Sequence, residues 1–245
     1  MLHKTEGVVL RVVKYGETSV VASILTEMFG IQSYMINGVR SSAKGKAAKG
    51  NILQPAAVLD MVVYHNDKTT LQRVSEFRLG VVYENLKFNV VRNAIALYYV
   101  EVLTKCLREP ESDPQLFEFV KQHLIMLDQA PLKAVANLPL VYTLGLFRFL
   151  GFYFNGMYTA ETPFLDLKEG SFMAQPPHHG YFLEGHASAF TSAMLQAANV
   201  DEAMALQMNG DMRRKLLYAY IDFIRLHLVD FKDLNTPSIL HEVLS

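Results

Sequence analysis

Four cations fall within ten residues, Arg40, Lys44, Lys46 and Lys49, in the segment Arg40-Ser41-Ser42-Ala43-Lys44-Gly45-Lys46-Ala47-Ala48-Lys49-Gly50. No acid interrupts them, and only Ser, Ala and Gly lie between. The chemistry this suits is electrostatic rather than covalent. Small side chains put little bulk beside the backbone, so the cations can follow a polyphosphate and release its condensed counterions. The same composition would serve a plain solvated loop, so the element that presents it decides the reading. Three tyrosines add a second kind of chemistry. Tyr15, beside Lys14, sits in a turn, Tyr34 within a strand and Tyr64 near a strand end. A base stacked on such a ring is worth about 1–3 kcal/mol without sequence preference. Taken singly, each tyrosine could as well be a core or rim residue. A second basic cluster, Arg213-Arg214-Lys215, opens the last long helical stretch. Cations there oppose the helix macrodipole. The solvated face of an amphipathic helix is the preferred reading of these three, and a phosphate contact the other.

Covalent and metal chemistry find no support in the residues. A phosphate-binding loop needs Gly, four residues, then Gly-Lys-Ser/Thr. The nearest approach, Gly38 to Gly45-Lys46-Ala47, has six intervening residues and lacks the hydroxyl. Neither a G-x-G-x-x-G after a strand nor a G-x-S-x-G elbow occurs. His241-Glu242 begins like H-E-x-x-H, but position 245 is Ser. His178 and His179 are adjacent and have no cysteine nearby, so they read as loop histidines. The sequence therefore predicts a protein that is not an enzyme and has no cofactor and no metal. An unrecognised hydrolase stays open, because carboxylate pairs leave no signature in one sequence.

The elements that would position these residues divide at Gly80. Before it, β-branched runs at 5–14, 19–26, 31–36, 57–65 and 71–77 are separated by turn residues. Five short strands of this kind predict a small barrel, and five strands suit the OB-fold, whose inter-strand loops frame an oligonucleotide groove. On that barrel the basic loop reads as a binding element. After Gly80 the period becomes helical. A stripe of Ala94, Leu97, Tyr98, Val102 and Leu103 predicts a helix over 91–107. Asp113-Pro114 is a start signal for a helix to about residue 128, with the acid as cap and proline in the first turn. Another helix is predicted over 137–150 and a long one over 211–230. Residues 152–183, rich in Gly, Pro and aromatics, read as an irregular insert with two short strands. The predicted class is α+β: an OB-fold barrel over 1–80, then a mostly α-helical domain over 81–245.

Composition agrees. The chain has 245 residues, 51% of them apolar, enough for a full core. Its net charge of −1 hides an asymmetry: residues 1–80 hold 10 Lys/Arg and 6 Asp/Glu, and residues 81–245 hold 13 and 18. A basic first part and an acidic second suggest that the first faces the polyanion. His3, Lys4 and Glu6 interrupt any secretory h-region. The apolar stretch 134–147 stops at Arg148, as a buried helix rather than a membrane span would. The lone Cys106 rules out an internal disulfide, fits a reducing compartment and reads as a small buried hydrophobe.

Several segments together resemble the RecO family of bacterial recombination mediators. They are Thr5-Glu6-Gly7-Val8-Val9-Leu10, Tyr15-Gly16-Glu17-Thr18-Ser19, Leu25-Thr26-Glu27-Met28-Phe29-Gly30, Asn37-Gly38-Val39-Arg40 with the basic loop, and Leu53-Gln54-Pro55. A weaker likeness continues through Phe147-Arg148-Phe149-Leu150-Gly151-Phe152. The resemblance implies a cytoplasmic, nucleoid-associated protein that binds single- and double-stranded DNA and anneals complementary strands. It also implies partnership with RecR and single-strand-binding protein, so that the recombinase RecA is loaded onto coated strands. Two other readings stay open: an adaptor of a repair complex with weak DNA binding of its own, and an RNA-binding barrel. Many members of the family carry a four-cysteine zinc module after the Phe-Leu-Gly helix end. Residues 152–183 have no cysteine, so no zinc is expected there. The insert should be held by Phe154, Phe164, Phe172, Tyr181 and Phe182 instead.

Overall fold

The computed structural model describes residues 1–39, 50–107 and 111–244. Five strands, β1 (Leu2–Tyr15), β2 (Ser19–Thr26), β3 (Gly30–Ile36), β4 (Val58–Tyr64) and β5 (Leu71–Leu79), close a barrel in the order β1-β2-β3-β5-β4. The five predicted runs are these five strands. All neighbours are antiparallel except β3 and β5, whose parallel pairing closes the barrel. β1 is long because its start pairs with β4 and its end with β2, with a shift in register between Val9 and Arg11. Such a bulge bends a strand and lets it serve two sides of a barrel. At the overlap Gly7 is required for space: a Cβ there would stand 2.5 Å from Met61 Cε and 2.6 Å from Ile24 Cγ2. The interior is filled by Val9, Val20, Ala22, Ile24, Tyr34, Ile36, Leu59, Met61 and Val63.

The chain forms two compact units, and they interleave. Unit 1 is Met1–Asn89 with Leu107–Gln129, and unit 2 is Val90–Cys106 with Ala130–Ser245. Unit 1 therefore takes in a helix, α2 (Pro114–Gln129), that lies within the helical part of the sequence. Its start is capped by Asp113 Oδ1, which accepts from the N–H of Gln115 and Leu116. Lys121 reaches Glu6 of β1 at 2.6 Å. At its far end the buried carboxylate of Asp128 accepts three successive backbone N–H groups, those of Glu84, Asn85 and Leu86, at 2.7–3.0 Å. Asn85 Nδ2 donates in turn to the Asp128 carbonyl. Burial first, and the Asp128 charge second, push the Tyr83 phenol well above its ordinary pKa.

Unit 2 holds α1 (Val90–Cys106), α3 (Leu138–Phe149), α4 (Gly185–Gln196), α5 (Val200–Met204), α6 (Gly210–His227) and α7 (Thr236–Leu244). α1 is buried around most of its circumference, including Tyr98, Tyr99 and Cys106. Leu97, expected on the buried stripe, is exposed, because only one narrow side of α1 meets water. Tyr99 stacks on Tyr142 of α3 at 3.9 Å, and the Tyr98 hydroxyl meets Thr143 Oγ1 at 2.6 Å. The apolar stretch ending at Arg148 is the buried α3. No helix among the described residues is long and apolar enough to cross a membrane.

The insert builds a three-stranded sheet, β6 (Phe164–Asp166), β7 (Ser171–Met173) and β8 (Phe182–Leu183), in the order β7-β6-β8. That is one strand more than predicted. Phe154 packs on Phe147 and Phe223, and Phe164 meets Phe182 edge-on. Phe172 is half-buried. Tyr181 is exposed rather than a core aromatic, with Lys168 Nζ 5.6 Å from its ring centroid. The buried Asp166 accepts from the N–H of Lys168 and Glu169 and lies 3.3 Å from His179.

Glu101 of α1 anchors the last helix. Its carboxylate accepts from Thr236 Oγ1, the N–H of Asn235 and Thr236, and Lys105 Nζ. Burial alone would raise its pKa, but these bonds outweigh burial and hold it down at about 2 against an ordinary 4.5. A depressed carboxylate stabilises the folded state above the ordinary pKa and loses that effect as pH falls through the depressed one. Hydrogen-exchange protection of α7 should therefore decline between pH 4.5 and about 2. Unchanged protection across that window would show that this carboxylate does not hold α7.

Candidate nucleic-acid interface

Strand pairing dictates which barrel residues face outward together, because paired residues share a face and successive residues alternate. One outward row runs Arg11, Ser23, Ser33 and Leu71 across β1, β2, β3 and β5. The next runs Val13, Val21, Met35, Arg73 and Tyr64, continuing onto β4. Tyr15 extends the Arg11–Val13 side of β1, opposite Ser19. The result is a strip of short polar and apolar side chains with Arg11 and Arg73 on it and no acid in either row. Two tyrosines stand at its margins, Tyr15 at 56% and Tyr64 at 49% exposure. Cations to hold phosphates and open rings to receive bases are what a single-strand surface of a barrel needs.

The sequence-expected residues fall in different places. Tyr15 is on this strip. Lys14 is exposed at the end of β1, paired with Val20 on the row that turns inward. Tyr34 is a correction: its ring is fully buried in the barrel, in the inward row with Val12, Ala22 and Gln72, so no base can reach it. Burial pushes its phenol up to about 12. Arg40, Lys44, Lys46 and Lys49 lie outside the described residues. The residues flanking that segment come close together, since a Cβ on Gly50 would stand 2.6 Å from the Val39 carbonyl oxygen.

Arg213, Arg214 and Lys215 belong to unit 2. Arg213 is half-buried and donates to the Met208 carbonyl, and Arg214 pairs with Asp211 at 3.0 Å and meets His241. Local partners thus account for the two arginines at the start of α6, while Lys215 is exposed. The two arginines line a cavity of about 210 Å³ with Pro139, Leu140, Leu217 and Leu240. Arg11 and Arg73 were not singled out from sequence. Arg11 was within reach of period-two reasoning, two residues before Val13 and four before Tyr15. Arg73 was not, because the parallel β3–β5 register places it. Among the described residues no group of three or more His, Cys, Asp or Glu could hold a metal ion.

Comparison with known proteins adds the decisive observation. The family described as recombination protein O, N-terminal, matches residues 1–80, and its C-terminal counterpart matches residues 88–234. The chain belongs to the RecO family. It is 28% identical over 247 residues to the DNA repair protein RecO of Azobacteroides pseudotrichonymphae, covering 99% of each chain. The protein of that name from Phocaeicola vulgatus is 28% identical over the whole of both chains, and that of Bacteroides fragilis 29% identical over 99% of each. The closed five-stranded barrel is the OB-fold of the RecO N-terminal domain, and the family ties the chain to DNA repair and recombination.

Proposed function

We propose that the chain binds single-stranded DNA on the outer strip of its barrel and anneals complementary strands. In this reading it acts without covalent chemistry, as a cytoplasmic mediator that helps a recombinase load onto coated strands. The observation that carries the reading is the strip itself, with Arg11 and Arg73 on one outward face, Tyr15 and Tyr64 at its margins, and the basic segment 40–49 leaving the same barrel. Family membership supports the remainder: contact with duplex DNA, a RecR-like mediator, single-strand-binding protein and, indirectly, RecA. Relatives across the chain's full length are named for DNA repair.

Neutralising phosphates makes affinity fall with salt by about 0.7 log unit per log unit of salt for each single-strand contact. Titration of a labelled single strand across a salt series, with and without its complement, tests the proposal. A measurable negative slope and accelerated annealing are expected, and an absence of both would overturn it. A matched RNA strand in the same titration separates the DNA reading from an RNA-binding barrel. Tyr15→Ala should weaken single-strand binding about 5-fold or more with the salt slope unchanged, because it removes a stacking contact and no charge.

A further inference from the structure

An aromatic ring in unit 1 is held out into water by a turn that the fold takes care to fix. Phe88 is 84% exposed. It follows Lys87, also exposed, on the turn from Glu84 to Asn89. Nothing about that turn is loose. Its three leading N–H groups converge on the buried Asp128 carboxylate. Phe88 N–H and Asn89 N–H both donate to the Asn85 carbonyl. Tyr83 and Leu86 are buried on either side of Glu84 and Asn85, and the Tyr83 hydroxyl donates to the Ala56 carbonyl at 2.9 Å. The polypeptide on both sides of Phe88 is therefore pinned, yet the ring packs on little of the unit that carries it. Leaving an apolar side chain of this size in water forgoes the free energy that burying it would contribute. The core does not need the ring where it is.

Its position relates it to the proposed interface. Ala56 lies on the short segment that leads from Gly50, the residue after the basic segment, to β4. The Tyr83–Ala56 bond thus fastens the Phe88 turn to the stretch between Gly50 and β4. Glu84 and Lys87 offset each other in charge, so the turn contributes a π-face rather than a field. Phosphates would be held by the barrel's cations.

We propose that Phe88 is a base-stacking platform for a single strand whose phosphates are held by the barrel, extending the binding surface beyond β5. This inference rests on the single-strand reading above, and its test separates the two. The chain has no tryptophan, so Phe88→Trp in the full-length protein carries one indole at the ring in question. Titration with labelled oligodeoxythymidylate should quench its emission as the anisotropy of the label rises. Tyr153→Trp, an exposed aromatic of unit 2, should show no quenching. Phe88→Ala should weaken single-strand binding about 5-fold or more, Phe88→Tyr should restore it, and binding to a duplex should change less than about 2-fold, since paired bases offer no free face. Strand binding by the Phe88→Trp variant with its indole emission unquenched would overturn the stacking role and leave the single-strand reading standing. An absence of strand binding by the wild-type protein would overturn both. An emission change that follows protein concentration without DNA would assign the ring to a second copy of the chain and overturn the proposal.

Discussion

Replacing Arg40, Lys44, Lys46 and Lys49 together by alanine is expected to lower single-strand affinity about 100-fold at about 0.15 M salt and to flatten the salt dependence by nearly 3 log units per log unit of salt. The figure follows from four contacts at about 0.7 each. Anisotropy titrations of wild type and quadruple variant over the same salt series decide it. A parallel slope would mean that these cations touch no phosphate and that Arg11, Arg73 and Lys14 carry the electrostatics alone. Arg11→Ala with Arg73→Ala then provides the complementary measurement, with about half the loss in slope.

The second large effect concerns stability. Asp128→Ala leaves the N–H groups of Glu84, Asn85 and Leu86 without their common acceptor, and Leu86 is buried. Hydrogen bonds to a charged group are worth about 1.5–3 kcal/mol each, and a stranded buried donor costs more, so about 3–5 kcal/mol is expected. Hydrogen exchange over residues 83–89 should lose protection first, and the urea midpoint of unit 1 should fall. Asp128→Asn should be milder, since its amide oxygen can still accept while its NH2 faces a donor. Protection equal to wild type in the alanine variant would show that Tyr83 and Leu86 alone fix the turn. Because the same carboxylate fixes the turn that carries Phe88, the variant should also weaken strand binding.

Much of this architecture was legible in the residues. Turn chemistry at Tyr15-Gly16, Phe29-Gly30 and Asn37-Gly38 delimited the strands, and Gly16, Gly30 and Gly38 do adopt positive φ. Asp113-Pro114 marked the start of α2 to the residue. Tyr34 was misjudged because β3 carries apolar side chains on both faces. Ile36 and Tyr34 point inward and Ile31 and Met35 outward, so alternation alone cannot orient the strand. Only pairing with Ala22 and Gln72 does. α4 escaped notice because Gly185-His186-Ala187-Ser188 shows a weak apolar stripe, although Ser188 and Thr191 are buried in it. The clamps at Asp128 and Glu101 join residues more than 40 and 130 positions apart. No local pattern encodes such partners. Phe88, a lone apolar residue between Lys87 and Asn89, carries no signal until its exposure is seen.

The interleaving of the two units has a consequence for how the chain is made and cut. The polypeptide passes from one unit to the other three times, after Asn89, Cys106 and Gln129, where a tandem arrangement would pass once. A nascent chain that has completed all five strands still lacks the helix bearing Lys121 and Asp128, so the first unit matures only after part of the second has emerged. Nor does a single nick after Asn89 free the barrel. The released fragment carries away α2 and with it the carboxylate that the turn at Glu84–Leu86 requires, so the two pieces remain mutually dependent.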